Sequence, residues 1–163
     1  MELVRDIFLF SCFTGLAYID VSQLTPDNIV EVNGRKWIMT ERQKTNVPSN
    51  VLLLDVAEAI IKKYEGKDPK GRILPILSNQ RMNSYLKEMA DICGIRKKLT
   101  FHLARHTFAT LAISKGVPIE SVSRMLGHTK IATTQIYAKI LNTKIEKDML
   151  NFADNLNFDF SSL

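Results

Sequence analysis

Apolar residues recur at helical spacing from the start of the chain. Leu3, Ile7, Phe10 and Phe13 fall on one stripe of residues 2–13, and the Thr14-Gly15 pair predicts the end of that helix. Residues 16–25 read as a short helix running into Pro26. Over residues 28–41 the period changes to alternation on both sides of Asn33-Gly34, a dipeptide that predicts a two-residue hairpin turn. Residues 46–54 read as a third strand. Helical spacing then returns over residues 55–65, with Asp55 as the expected cap, and over residues 79–93, with Gly94 as the stop. Residues 101–115 and 118–126 form two further helices joined through Gly116-Val117-Pro118, and residues 143–152 form the last. The pattern predicts an α+β fold, mainly α-helical, with a small three-stranded antiparallel sheet near the N-terminal half. A core spans residues 1–152 and an acidic tail 153–163, in which Phe158 and Phe160 are exposed unless they dock.

Composition adds little to this picture. At 163 residues, with 45% hydrophobic and 24% charged residues, the chain fits one globular domain. Its net charge of +5 suits a polyanionic partner without requiring one. Cys12 and Cys93 sit inside helical patterns and lack the spacing of a metal knuckle, so both read as buried reduced thiols in a reducing cytoplasm. Apolar runs are short and broken by charge, and the first residues lack the shape of a signal peptide, so neither secretion nor a membrane span is expected. The helix begins without a capping residue, which reads as a piece cut from a longer chain.

Chemistry concentrates in residues 99–140, which hold all three histidines. His102 and Arg105 stand at i and i+3, so one helical face presents both to a single phosphate. Arg105 offers a planar fork to two non-bridging oxygens, and His102 and His128 add hydrogen bonds as charge builds in a pentavalent transition state. Tyr137 is the candidate nucleophile; a phenol with a free pKa of about 10 needs a base or a positive field to attack. His106, at i+4 from His102, reads as a packed or supporting histidine. No carboxylate cluster of metal-binding type lies in the segment, so the expected reaction is phosphoryl transfer without metal or cofactor.

His102-x-x-Arg105, the Leu126-Gly127-His128 turn and Tyr137 nine residues later closely resemble the catalytic half of the tyrosine recombinases. The resemblance runs back to Thr14-Gly15-Leu16, covers most of the chain, and implies the catalytic-domain fold of that family. It implies that Tyr137 forms a 3′-phosphotyrosine bond and frees a 5′-hydroxyl, while Arg105, His102 and His128 stabilise the phosphorane. It also implies that Lys44, on the hairpin, protonates the leaving oxygen. The implied function is site-specific recombination, integration or excision of a mobile element, in a bacterial cytoplasm on double-stranded DNA. The resemblance further implies a homo-oligomer, a tetramer on DNA, assembled through the C-terminal tail, and further N-terminal DNA-binding domains outside this chain.

One position departs from the family. Where the family reads Thr-Gly-Leu-Arg, with a first phosphate-clamping arginine, this chain has Ala17; the acidic residue that follows is retained as Asp20. Arg5, on the preceding helix, is the expected replacement if the reversal at Thr14-Gly15 brings that helix beside the site. Arg42, Lys44, Arg96, Lys97, Lys98 and Lys130 are the expected DNA contacts. The competing readings are a type IB topoisomerase-like activity, which shares the chemistry, and a non-catalytic DNA-binding module. That module is either a degenerate recombinase or a helix-turn-helix regulator built on residues 101–126.

Overall fold

The computed structural model describes residues 1–138 and 142–155. Helix α1 (Glu2–Thr14) follows the apolar stripe, burying Ile7 and Phe10 completely. It stops at Gly15, whose φ of 71° lies in the left-handed region and turns its N–H onto the Ser11 carbonyl. A single-turn helix α2 (Tyr18–Val21) and a 3-10 turn (Pro26–Asn28) lead into the sheet. Strands β1 (Ile29–Val32), β2 (Arg35–Glu41) and β3 (Pro48–Leu52) are antiparallel and ordered β1-β2-β3. Asn33 and Gly34 both have positive φ, at 52° and 72°, and the register Val32↔Arg35 closes the two-residue turn that this dipeptide predicts.

Helix α3 (Asp55–Tyr64) carries one correction: Leu54 occupies the cap position, and Asp55 lies in the first turn, where its charge still complements the helix dipole. Helix α4 (Asn79–Ile92) is capped by Ser78, whose Oγ accepts the Arg81 N–H at 3.4 Å. Helices α5 (Phe101–Ser114) and α6 (Ile119–Met125) match the predicted pair. Helix α7 (Ala132–Ala138), which carries Tyr137, is not predicted by the apolar pattern. Helix α8 (Asn142–Asn155) is longer than expected. Phe158 and Phe160 lie outside the described residues.

The main core gathers Ile7, Phe10, Leu16, Leu24, Ile38, Leu74, Met82, Leu86 and Phe101, with α1 packed against α3, α4 and α5. A second cluster, Phe108, Ala109, Ile113, Val122, Leu126 and Tyr137, joins α5, α6 and α7, and Met125 packs against both. Cys12 is buried as expected, and desolvation pushes its thiol up to about 11. Cys93 is exposed, contrary to expectation: it follows the end of α4 at Ile92, on a stretch where Asp91, Ile92 and Gly94 are exposed as well. Among the described residues no helix is long and apolar enough to cross a membrane, and no group of three or more metal-ligating side chains assembles.

Candidate active site

The site begins with the fixing of α5. The Phe101 N–H donates to Asn83 Oδ1 of α4 at 2.8 Å, and the Phe101 ring is buried edge-on against Tyr18, 5.7 Å between centroids. Tyr18 is itself tied down, its hydroxyl donating to the Leu77 carbonyl at 2.9 Å. With Phe101, Ala104 and Phe108 turned inward, Arg105 points to where α1 and α6 end. Its Nη1 donates to the Gly15 carbonyl at 2.7 Å and its Nη2 to the Leu126 carbonyl. Two carbonyls therefore hold the guanidinium plane of Arg105, a residue only 4% exposed, and the remaining donors of its fork are left for a ligand.

The sheet closes the other side. Ser49 Oγ donates to the Met125 carbonyl at 2.5 Å and Thr45 Oγ1 to the Gly127 carbonyl at 3.5 Å, which fastens β3 and the β2–β3 loop to the Leu126-Gly127-His128 turn. His128 follows that turn, its Nδ1 2.8 Å from the Oγ1 of the fully buried Thr134 at the start of α7. Packing of α7 on α5 and α6 buries Tyr137 beside Phe108 and Leu126. The rings of His102, His106 and Tyr137 form a row, with centroids 4.4 Å apart for the first pair and 5.3 Å for the second. His106 thus packs between the other two, in the supporting position that its spacing indicates.

Electrostatics tie the residues to one site. Burial, with the charges of Arg105 and Arg42, pushes His128 down to about 4, so its ring is neutral near pH 7. Burial lowers His102 too, helped by His106, Arg105, Arg42 and Lys44. Burial raises the Tyr137 phenol, and the Arg105 charge partly offsets this. Arg105 falls to about 10, first through desolvation and then through repulsion by Arg42.

Arg105, His102, His128 and Tyr137 are therefore brought together, with exposed Lys44 on the β2–β3 loop near enough to act on His102. Arg96, Lys97 and Lys98 are exposed on the α4–α5 connection, and Lys130 is exposed after His128. Arg5 is not brought to the site. It lies near the N-terminal end of α1, away from Gly15, with Nη2 2.7 Å from Asp6 and 3.6 Å from Glu2. Asp6 also accepts from Lys63 and from Tyr64 Oη. Burial alone would raise that carboxyl, but these donors outweigh it and hold it below the usual range. Arg42, expected as a DNA contact, is only 8% exposed and stands 3.1 Å from Asp20 Oδ2 through Nη1. Thr134 carries no sequence signal; its role depends on how α7 folds back onto His128.

The profile of the phage integrase family matches residues 4–144. Tyrosine recombinase XerD of Halalkalibacterium halodurans is 40% identical over 76 residues, covering 47% of this chain and 25% of that protein. Tyrosine recombinase XerD of Staphylococcus saprophyticus is 39% identical over 71 residues, covering 44% and 24%. The aligned part of the chain spans about a quarter of the length of these curated relatives. Among solved structures, XerH site-specific recombinase bound to palindromic difH substrate superposes with a TM-score of 0.70 at 22% identity, covering 90% of this chain and 45% of that one. XerA recombinase superposes with a TM-score of 0.66 at 20% identity, covering 93% and 63%. A lambda integrase dimer bound to a core site gives 0.66 at 18% identity, covering 83% and 52%.

Proposed function

The chain belongs to the phage integrase family, and we propose that it acts as the catalytic domain of a tyrosine-type site-specific recombinase. In this reading it cleaves and rejoins double-stranded DNA during integration or excision of a mobile element. The observation that carries the reading is the convergence of Tyr137, His102 and His128 on one buried arginine, Arg105, whose plane is held by the Gly15 and Leu126 carbonyls. The Tyr137 oxygen attacks the scissile phosphorus, the bond from phosphorus to the 5′ oxygen breaks, and a 3′-phosphotyrosine forms. Arg105 and the histidines stabilise the phosphorane, since donors already fixed in place need no reorganisation as charge develops. Neutral His102 and His128 are available near pH 7 to accept the phenol proton or to donate to phosphate oxygens. Lys44 is the proton donor to the leaving 5′ oxygen. Attack by a 5′-hydroxyl of a partner duplex reverses the steps, and the covalent link conserves the phosphodiester energy without ATP or metal.

The exposed cations Lys44, Arg96, Lys97, Lys98 and Lys130 are the proposed DNA contacts. The relatives solved with DNA, XerH with difH and lambda integrase as a dimer on its core site, support DNA binding and assembly of several copies. The experiment is covalent trapping in EDTA on nicked duplexes tiled across the DNA flanking the gene of this protein. A protein–DNA adduct on a denaturing gel, lost in Tyr137→Phe, is the expected result. Absence of any adduct on duplexes that the protein binds would favour a DNA-binding module without strand cleavage.

A further inference from the structure

Among the described residues the arginines and lysines include two that are buried, Arg105 and Arg42, and the cleavage reading gives a role only to the first. Arg42 directly follows β2, and its backbone is fixed on both sides. Its N–H donates to the Val47 carbonyl at 2.9 Å and its carbonyl accepts from Asn46 at 2.7 Å. Its side chain crosses the Leu126-Gly127-His128 turn so closely that a Cβ on Gly127 would lie 2.4 Å from Arg42 Cγ. The guanidinium then reaches Asp20, with Nη1 3.1 Å from Oδ2. That oxygen also accepts the Ala17 N–H at 3.3 Å, while Asp20 Oδ1 accepts the Gln43 N–H at 3.1 Å. One carboxylate therefore anchors both the backbone of position 17 and the guanidinium of Arg42.

An arginine buried only to brace the loop would be expected to satisfy its donors. Arg42 does not: Nε and Nη1 are buried and make no hydrogen bond, the Asp20 contact being an ion pair without hydrogen-bond geometry. The charge balance is also incomplete, because Asp20 is the buried carboxylate beside two buried guanidinium groups, and burial disfavours the charged forms of His102 and His128. A phosphodiester entering between Arg42 and Arg105 would supply both the missing acceptor oxygens and the missing negative charge.

We infer that Arg42, held by Asp20, supplies the second guanidinium that clamps the scissile phosphate, in place of the arginine that Ala17 lacks. This rests on the strand-cleavage reading above and adds a residue to it. Arg42 enters from the sheet side of the site and Arg105 from the helical side, so the two forks grip non-bridging oxygens from opposite directions. Gly127 is part of the device, because any side chain there would displace the Arg42 stem.

The test compares wild type, Arg42→Ala and Arg42→Lys for the initial rate of Tyr137 adduct formation on the nicked duplex that wild type cleaves. Each is run on two forms of that duplex, one with the natural scissile phosphodiester and one with a neutral methylphosphonate there. DNA affinity and melting temperature are measured alongside. The expected result is a loss of about 10²- to 10³-fold for Arg42→Ala on the phosphodiester, shrinking by at least about tenfold on the methylphosphonate, where there is no charge to clamp. Arg42→Lys keeps the charge opposite Asp20 but loses the planar fork, so it should be impaired at an unchanged melting temperature. It carries the comparison if Arg42→Ala does not fold. Equal losses on both substrates would make Arg42 a structural brace and overturn the inference, as would near-wild-type cleavage by either variant. Either result leaves the cleavage reading standing, whereas absence of adduct with wild type removes the reading itself.

Discussion

At the scale of single residues, burial shifts the protonation equilibria of the candidate site's groups, lowering His102, His128 and Arg105 and raising Tyr137. His128 has a folded pKa of about 4 against an ordinary 6.5, so between these values the unfolded chain binds more protons than the folded one. The stability that neutral His128 contributes is therefore complete above about pH 6.5 and is lost as pH falls toward about 4. Allowing for solvent screening at this half-buried position, the loss is roughly 1–2 kcal/mol. Urea melts of wild type and His128→Gln at pH 7.5 and pH 4.5 should show a smaller pH effect in the variant, and parallel curves would refute the assignment. Arg5 offers a contrast. Its exposed pairs with Asp6 and Glu2 lie away from the site, so Arg5→Ala should leave the rate of adduct formation unchanged.

At the scale of elements, the candidate site is built from the ends of helices as well as from their faces. Gly15 ends α1, has a φ of 71°, offers its carbonyl to Arg105, and leaves no room for a Cβ, which would lie 2.5 Å from Phe108 Cδ1. Gly127 ends the α6 turn with a φ of 59° and meets Arg42 in the same way. Gly15→Ala and Gly127→Ala should each destabilise by about 1–3 kcal/mol through backbone strain and overpacking, and both should slow cleavage beyond what their melting temperatures explain. Gly34 has a similar φ of 72° but open space where a Cβ would stand. Gly34→Ala should therefore strain only the hairpin turn and leave the cleavage rate of the folded protein intact.

At the scale of the whole molecule, the proposed DNA binding and assembly can be tested on exposed charge and apolar surface. Lys97 and Lys98 are exposed just before the start of α5. If each neutralises one DNA phosphate, replacing both by Gln should lower the slope of log affinity against log salt by about two units; an unchanged slope would remove them from the interface. Along α8, Ile145, Met149 and Phe152 fall at i, i+4 and i+7 and are 67%, 58% and 56% exposed. If the chain assembles on DNA as proposed, a stripe of that kind is where a second copy would pack. Met149→Asp with Phe152→Asp should leave the melting temperature of the free protein unchanged and reduce multimeric complexes in native gels with DNA.

The sequence by itself determined most of the elements and named His102, Arg105, His128 and Tyr137, which the fold brings together. Local rules sufficed for these: the period of the apolar residues, the demand of Asn33-Gly34 for positive φ, and the one-face geometry of His102 and Arg105. The helix that presents Tyr137 was not legible, because a segment as short as Ala132–Ala138 gains its stability from packing on α5 and α6 and leaves little periodic trace. Nor could sequence distance locate the second guanidinium: it pointed to Arg5 and placed Arg42 only among the DNA contacts. Both are basic residues flanking apolar patterns, and only the fold decided which one is buried beside the Asp20 carboxylate that also holds position 17. The physical reason is that a buried charge is located by what surrounds it in space. For Arg42 the surroundings are Asp20, Gly127 and Arg105, which come from three separate parts of the chain.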